Sequence, residues 1–231
     1  MSAPLEFILF VALPYAALLL AITVGVYRSR TNRFSYSSLS SQFLESRQLF
    51  WGSVPFHWGL LAVFLGHLAG LLFPSWIGAI HGAPLRMVIM EVTGLAFALL
   101  ALLGLVNLIV RRAGNGKLRV VTSPMDIVAL ALLLVGIVTG IWLAVFYRWG
   151  SDWYWQLETP YLWSLALLNP EPQYVTSLPL MAQVHILNAY LLLLVFPFTR
   201  LVHAVTVPIA YLWRPWQLVR WYRRGASIQQ R

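Results

Sequence analysis

The run WGSVPFHWGLLAVFLGHLAGLLF, residues 51–73, contains no Asp, Glu, Lys or Arg, and its only ionisable side chains are His57 and His67. A hydrocarbon core is crossed by about 20 residues of apolar helix, so this run is long enough to span a bilayer. An ionisable group inside a membrane is costly and marks a functional site by default. One segment therefore points to both the fold and the chemistry.

Four more runs have the same character: Leu5–Tyr27, Leu85–Val110, Pro124–Tyr147 and Leu178–Trp213. The expected fold is an all-α, polytopic membrane bundle of five transmembrane helices, a single membrane domain over residues 1–231. The last run exceeds one crossing, and Pro197 predicts a kink in it, with helix continuing into water ahead of a basic tail at 214–231. Gly66, Gly70, Gly94, Gly104, Gly136 and Gly140 predict close helix packing in lipid. The first run has no basic n-region and no A-x-A-like cleavage site, so it reads as a retained span.

Composition agrees. The chain is 60% hydrophobic and 10% charged, with a mean hydropathy of +0.74, whereas soluble domains are about 25% charged. Cys is absent, which excludes disulfides, thiolate-bound zinc, iron–sulfur clusters and covalent c-type haem. The 16 Lys+Arg against 7 Asp+Glu would suggest nucleic acid in a soluble protein. Here the cations lie between apolar runs, so membrane lipid is the expected partner and nucleic acid is not.

Positively charged loops stay cytoplasmic. Arg28, Arg30, Arg33 and Arg47 follow the first span; Arg111, Arg112, Lys117 and Arg119 link the third to the fourth; Arg214, Arg220, Arg223, Arg224 and Arg231 form the tail. The opposite side carries Arg86 and Arg148 with Glu6, Asp152, Glu158 and Glu171. The N-terminus is thus expected outside, the C-terminus in the cytoplasm, and the chain multi-pass in the inner (cytoplasmic) membrane. The outer loop 148–179 holds Trp149, Trp153, Tyr154, Trp155, Tyr161 and Trp163, predicting a segment on the membrane surface that anchors the chain or shapes a ligand entrance. The basic tail suits either anionic lipid or a soluble partner.

On these directions the histidines pair by depth. His57 comes about six residues inside the cytoplasmic boundary and His67 about seven before the outer one. Span five runs the other way, with His185 near the outer side and His203 after Arg200 near the inner one. His67 thus matches His185, and His57 matches His203. Two imidazoles on facing helices at one depth are what a six-coordinate haem iron needs, so two b-type haems are expected. The geometry has tension: ten residues of helix rise about 15 Å and eighteen about 27 Å. Tilt, reach and the Pro197 kink must absorb the difference. His81 falls in an outer loop without a depth partner and reads as non-ligating.

Arg111 and Arg112, level with the inner pair, suit haem propionates, and topology alone would also place arginines there. Arg86, near the level of His67, suits either a quinone carbonyl or lipid headgroups. Gly66 beside His67 would let a macrocycle approach the backbone.

With these residues in place, the chain resembles the gamma subunit family of membrane-bound respiratory nitrate reductase. The likeness rests on Ser40-Ser41-Gln42, Phe56-His57, Gly66-His67 through Gly70, Arg111-Arg112, and Phe196-Pro-Phe-Thr-Arg-Leu-Val-His203 continuing through Val207-Pro208, Tyr211-Leu212 and Gln217-Leu218-Val219-Arg220. The resemblance implies that His67 and His185 hold an outer, low-potential haem and His57 and His203 an inner, high-potential one. It further implies that menaquinol or ubiquinol is oxidised near the outer haem, with protons released outside. Electrons then pass to an iron–sulfur beta subunit and a molybdenum-containing alpha subunit that reduces nitrate. The family's quinone-site lysine is not matched here; Arg86, Gly66 and His67 are the quinone-site candidates. Rival readings are a cytochrome b anchor of a hydrogenase or formate dehydrogenase, and a haem-free proton channel or transporter, the latter disfavoured by the lack of paired broken helices and inverted repeats.

Overall fold

The computed structural model describes residues 3–32, 36–37, 41, 44–147 and 150–206. Arg33, Ser40, Gln42, Arg148, Trp149 and everything from Val207 on, including the basic tail, lie outside the described residues. Within them the secondary structure is helical, and five helices are long and apolar enough to cross a membrane: Ala3–Thr31, Arg47–Leu72, Pro84–Gly114, Pro124–Phe146 and Leu180–Phe198. We call these spans one to five. Their outer surfaces carry exposed large apolar side chains such as Leu19, Trp58, Leu103, Ile127 and Val184, as helices solvated by lipid do.

Local chemistry sets the helix ends. Pro84 and Pro124 open spans three and four, where a missing N–H costs nothing. Ser123 and Asp126 form a reciprocal capping box at the start of span four. Inside span one, Pro14 has no N–H for the carbonyl of Phe10. A π-helical turn, Ile8–Ala12, precedes it, and the buried Tyr161 hydroxyl donates to the Phe10 oxygen at 2.8 Å.

Spans two and three pack nearly backbone to backbone. A Cβ built on Gly59 would stand 2.5 Å from Ala101 N and Phe97 O, and one on Gly104 would meet Phe56 N and stand 2.6 Å from Gly52 O. Gly70, Gly136 and Gly140 likewise receive Tyr154, Asn188 and His185. Gly66 and Gly94 do not pack: a Cβ on either meets nothing within 4 Å. The helix-packing expectation is corrected at those two positions. Phe56, Leu105 and Leu133 form a core among spans two, three and four, with Leu192 and Leu201 against it.

The structure revises the sequence reading at two further places. Span five does not merely kink at Pro197. Its α-helix ends at Val195, a 3-10 turn covers Phe196–Phe198, Thr199 is extended, and a second 3-10 turn, Arg200–Ala204, carries His203. His185 and His203 therefore do not lie on one continuous helix. Only ten residues of α-helix, about 15 Å, follow His185, the same as separate His57 from His67. His81 is not in a loop: it ends a short helix, Pro74–His81.

The aromatic outer segment, expected along the membrane surface, packs onto the bundle. It runs through Gly150–Trp153, a π turn Tyr154–Glu158, Thr159–Ala166 and Gln173–Thr176. Tyr161 is fully buried with Phe10, Leu165, Val175 and Tyr190. The reason lies at the end of span two, whose last carbonyls lack helical partners. Tyr154 donates to the carbonyl of His67 at 2.7 Å and Trp163 Nε1 to that of Leu71 at 3.1 Å.

Candidate functional site

The structure brings the inner pair together. The His57 and His203 rings lie with centroids 5.9 Å apart. Imidazole binds a metal at about 2 Å, so two rings on opposite faces of one iron have centroids about 6 Å apart. His67 and His185 face the other end of the bundle, close enough to interact electrostatically.

All four rings are held through the same nitrogen. Nδ1 of His57 lies 2.7 Å from Ser53 O, Nδ1 of His67 2.8 Å from Val63 O, and Nδ1 of His203 2.6 Å from Arg200 O. A carbonyl only accepts, so Nδ1 carries the proton in each case and Nε2 presents a lone pair. His185 differs in using a side chain: its Nδ1 is 2.8 Å from Thr139 Oγ1, whose own proton goes to Val135 O at 2.7 Å. This outer-nitrogen hydrogen bond fixes tautomer and ring orientation, as is usual for metal-ligating histidine.

The residues fit a bis-histidine porphyrin iron. Nε2 is the available donor on every ring, one pair is already at the separation two axial ligands require, and Gly66 leaves open space beside His67. Among the described residues no three His, Cys, Asp or Glu side chains converge as a metal cage. Pairs of imidazoles suit an iron whose remaining ligands come from elsewhere.

The arginines take distinct places. Arg111 is buried at the end of span three and donates Nε to Glu45 Oε2 at 2.6 Å, Nη2 to Glu45 O at 2.6 Å and Nη1 to Ser41 Oγ at 3.1 Å. It pins the segment before span two and holds the Glu45 carboxyl below the usual carboxylate range. Arg112 donates to Thr122 and to Asp126 Oδ2, both at 3.2 Å. Arg200, three residues before His203, bonds the other oxygen of Asp126 at 2.9 Å and Val121 O at 2.8 Å. This fixes the inner end of span five onto span four. Arg86 is exposed on the first turn of span three.

Several supporting residues escaped the sequence reading. Ser53, 3.1 Å from His57 Nδ1, sits one turn before it and was detectable by that spacing. Asp126 was detectable from the S-x-x-D cap. Thr139 and Tyr154 were not, because their partners lie on other spans. The Tyr154 ring stands edge-on to His67 at 5.1 Å. Glu158, at the end of the same π turn, is pushed up to about 7 by burial.

The family model for the nitrate reductase gamma subunit matches residues 6–222. The nitrate reductase gamma chain of Bacillus subtilis (strain 168) is 35% identical over 217 residues, covering 92% of this chain and 97% of that protein. The respiratory nitrate reductase 1 gamma chain of Escherichia coli (strain K12) is 28% identical over 211 residues, covering 90% and 93%. The nitrate reductase-like protein NarX of Mycobacterium tuberculosis (strain ATCC 25618 / H37Rv) is 35% identical over 217 residues, covering 90% of this chain and 32% of that protein. The chain belongs to the nitrate reductase gamma subunit family.

Proposed function

We propose that this chain is the di-haem cytochrome b subunit of a respiratory nitrate reductase in the inner membrane. It oxidises a quinol, menaquinol or ubiquinol, near His67 and His185, and electrons leave past His57 and His203. They pass to an iron–sulfur subunit and on to a molybdenum subunit on the cytoplasmic side. The observation that carries this reading is the common state of the four imidazoles: Nδ1 committed to an oxygen, Nε2 available, and His57 and His203 at 5.9 Å.

Bound haem b would supply one-electron redox chemistry at its iron, which no side chain here provides. The chain's own contribution is positioning. His67 and His185 hold the outer site and His57 and His203 the inner one; the backbone carbonyls and Thr139 keep each ring in the ligating tautomer. Gly66 and Arg86 flank the approach to His67 as quinone contacts. Both arginines have acidic partners, but Arg111 is buried against Glu45 whereas Arg112, on Asp126, is 23% exposed, so Arg112 is the better propionate contact of the pair. Sending electrons inward from an outer oxidation site moves charge through the membrane potential, about 2.3 kcal/mol per charge per 100 mV.

The reduced-minus-oxidised absorbance spectrum of the purified chain tests the reading. A b-type alpha band is expected after dithionite, reduced mainly in its outer component in His67→Ala and His185→Ala. The absence of any such band, or retention of both haems in either variant, refutes it.

A further inference from the structure

His81 takes no part in either pair. Its side chain is 6% exposed, and among the described residues its Nε2 is the buried side-chain polar atom with no hydrogen-bond partner. Buried polar groups are nearly always paired, so an orphan calls for a functional account. The other ring nitrogen is firmly held. Nδ1 lies 3.0 Å from Asp152 Oδ1, which also receives Trp155 Nε1 at 2.9 Å and Gln156 Nε2 at 2.8 Å. Trp155 Nε1 is also 3.1 Å from His81 Nδ1; the single indole proton favours the closer, anionic carboxylate. Nδ1 therefore donates to Asp152, and Nε2 presents a lone pair. The hydrogen bond to His81 holds Asp152 below the ordinary carboxylate range. An imidazole oriented through Nδ1 by a carboxylate is the arrangement of a general base.

Its position matters equally. Tyr154 and Trp155 are adjacent on one π turn, with Cα atoms about 3.8 Å apart. Tyr154 bonds the carbonyl of His67 and lies against its ring, while Trp155 bonds Asp152 and packs on Gly78 of the His81 helix. One turn thus ties the base to the outer end of the bundle. Asp152 is 38% exposed, which gives the pair an outlet to water.

We propose that the His81–Asp152 pair accepts the protons released when a hydroquinone is oxidised at the His67/His185 end. This rests on the quinol-oxidising reading above. A hydroquinone becomes a quinone by losing two electrons and two protons. The electrons leave to the b-type haem acceptors of that reading. Each O–H bond breaks with its proton passing to Nε2, and Asp152 balances the imidazolium charge. The Nδ1 proton then passes through Asp152 to water, and the neutral imidazole returns to its Nδ1–H tautomer before Nε2 takes the second proton. The charged or titratable groups on the surrounding described elements include Tyr154, Glu158, Tyr161 and Tyr174 on the outer segment, Arg86 and Glu91 on span three, and His67 on span two. Glu91 is bonded to Ser151 at 2.6 Å.

The test uses the full chain in detergent, with menadiol as the probe and haem reduction followed by stopped flow across pH. In the parent protein the rate is expected to fall toward acid pH. His81→Gln is expected to slow reduction at least tenfold and to abolish that acid limb. Dithionite-reduced bands should be unchanged, and menadione affinity, read from tryptophan quenching, should stay within twofold. Asp152→Asn should slow reduction similarly through the wrong tautomer, whereas Ser151→Ala, which loosens the segment without touching the base, should stay within twofold. A parental rate and pH profile in both His81→Gln and Asp152→Asn overturns the proposal, as does equal slowing in Ser151→Ala. Failure of menadiol to reduce the parent protein sinks the quinol reading itself, a separately visible outcome. Should His81→Gln lose its haem bands, Asp152→Asn decides alone.

Discussion

Thr139→Val is the sharpest perturbation of the proposed outer haem site. Among the four imidazoles only His185 is oriented by a side chain of another span, through Thr139 Oγ1 at 2.8 Å; the others use carbonyls of their own helices, with Ser53 Oγ also 3.1 Å from His57 Nδ1. Valine keeps the shape and removes the acceptor. Losing a partner of this kind weakens metal ligation about 10–100-fold. The Gly136 carbonyl also bonds the ring and remains, so the lower end applies. A hydrogen-bonded imidazole is the more basic ligand and favours ferric iron. A tenfold loss borne by the oxidised form raises a one-electron potential by about 59 mV. Redox titration of the purified protein, followed at the alpha band, should show the outer component shifted upward by about 60 mV and the inner one unmoved. Thr139→Ser should restore the parental value. Equal shifts in both components, or none in the outer, would show that Thr139 does not orient an outer ligand.

Four other outcomes follow from the same geometry. Gly59→Ala places a Cβ 2.5 Å from Ala101 N and Phe97 O, which should cost about 1–3 kcal/mol in thermal stability and disturb the inner haem band, His57 being two residues away. Gly66→Ala meets nothing and should melt with the parent. Arg111→Gln should lower the melting temperature at pH 7. Because Arg111 depresses the Glu45 pKa, that deficit should shrink as pH falls and Glu45 protonates in the parent too. Glu158 runs the opposite way, raised from 4.5 to about 7 by burial. The stability it contributes is complete below about pH 4.5 and lost as pH rises through 7, on the order of 3 kcal/mol. Glu158→Gln should flatten that melting profile.

What the sequence made legible follows from how each feature is encoded. Spans are encoded by composition along the chain, so all five were readable, with the edges of the first four off by a few residues and the end of the fifth placed well past Phe198. The His57–His203 pairing was readable because charge bias gives direction and direction gives depth. The break at Phe196-Pro197 was only half readable. Proline announces a defect, but whether a helix bends or ends depends on what receives its freed carbonyls. The Pro197 carbonyl is taken by Arg28 from span one, a contact invisible to any local rule. The packing of the aromatic outer segment onto the bundle was hidden for a similar reason. Trp and Tyr suit the headgroup zone, and they equally suit capping the end of a helix whose carbonyls need donors. Trp163 does the second at Leu71, Tyr161 serves the Phe10 carbonyl that Pro14 leaves free inside span one, and Tyr154 adds a bond to the carbonyl of His67.

The two ends of the bundle differ in a way that bears on the proposed direction of chemistry. Around His57 and His203 the polar network is built on guanidinium groups: Arg111 on Glu45, and Arg112 and Arg200 sharing Asp126. Guanidinium does not give up a proton in proteins, so this end fixes charge without exchanging it. Around His67 and His185 the polar groups are His81, Asp152, Glu91, Glu158 and Tyr154, and the half-buried Glu158 carboxyl has its pKa raised to about 7. A subunit that takes electrons and protons together at one end and passes only electrons on at the other needs this asymmetry. Replacing His81 should therefore impair entry of electrons from a quinol while leaving their transfer between the two histidine pairs untouched.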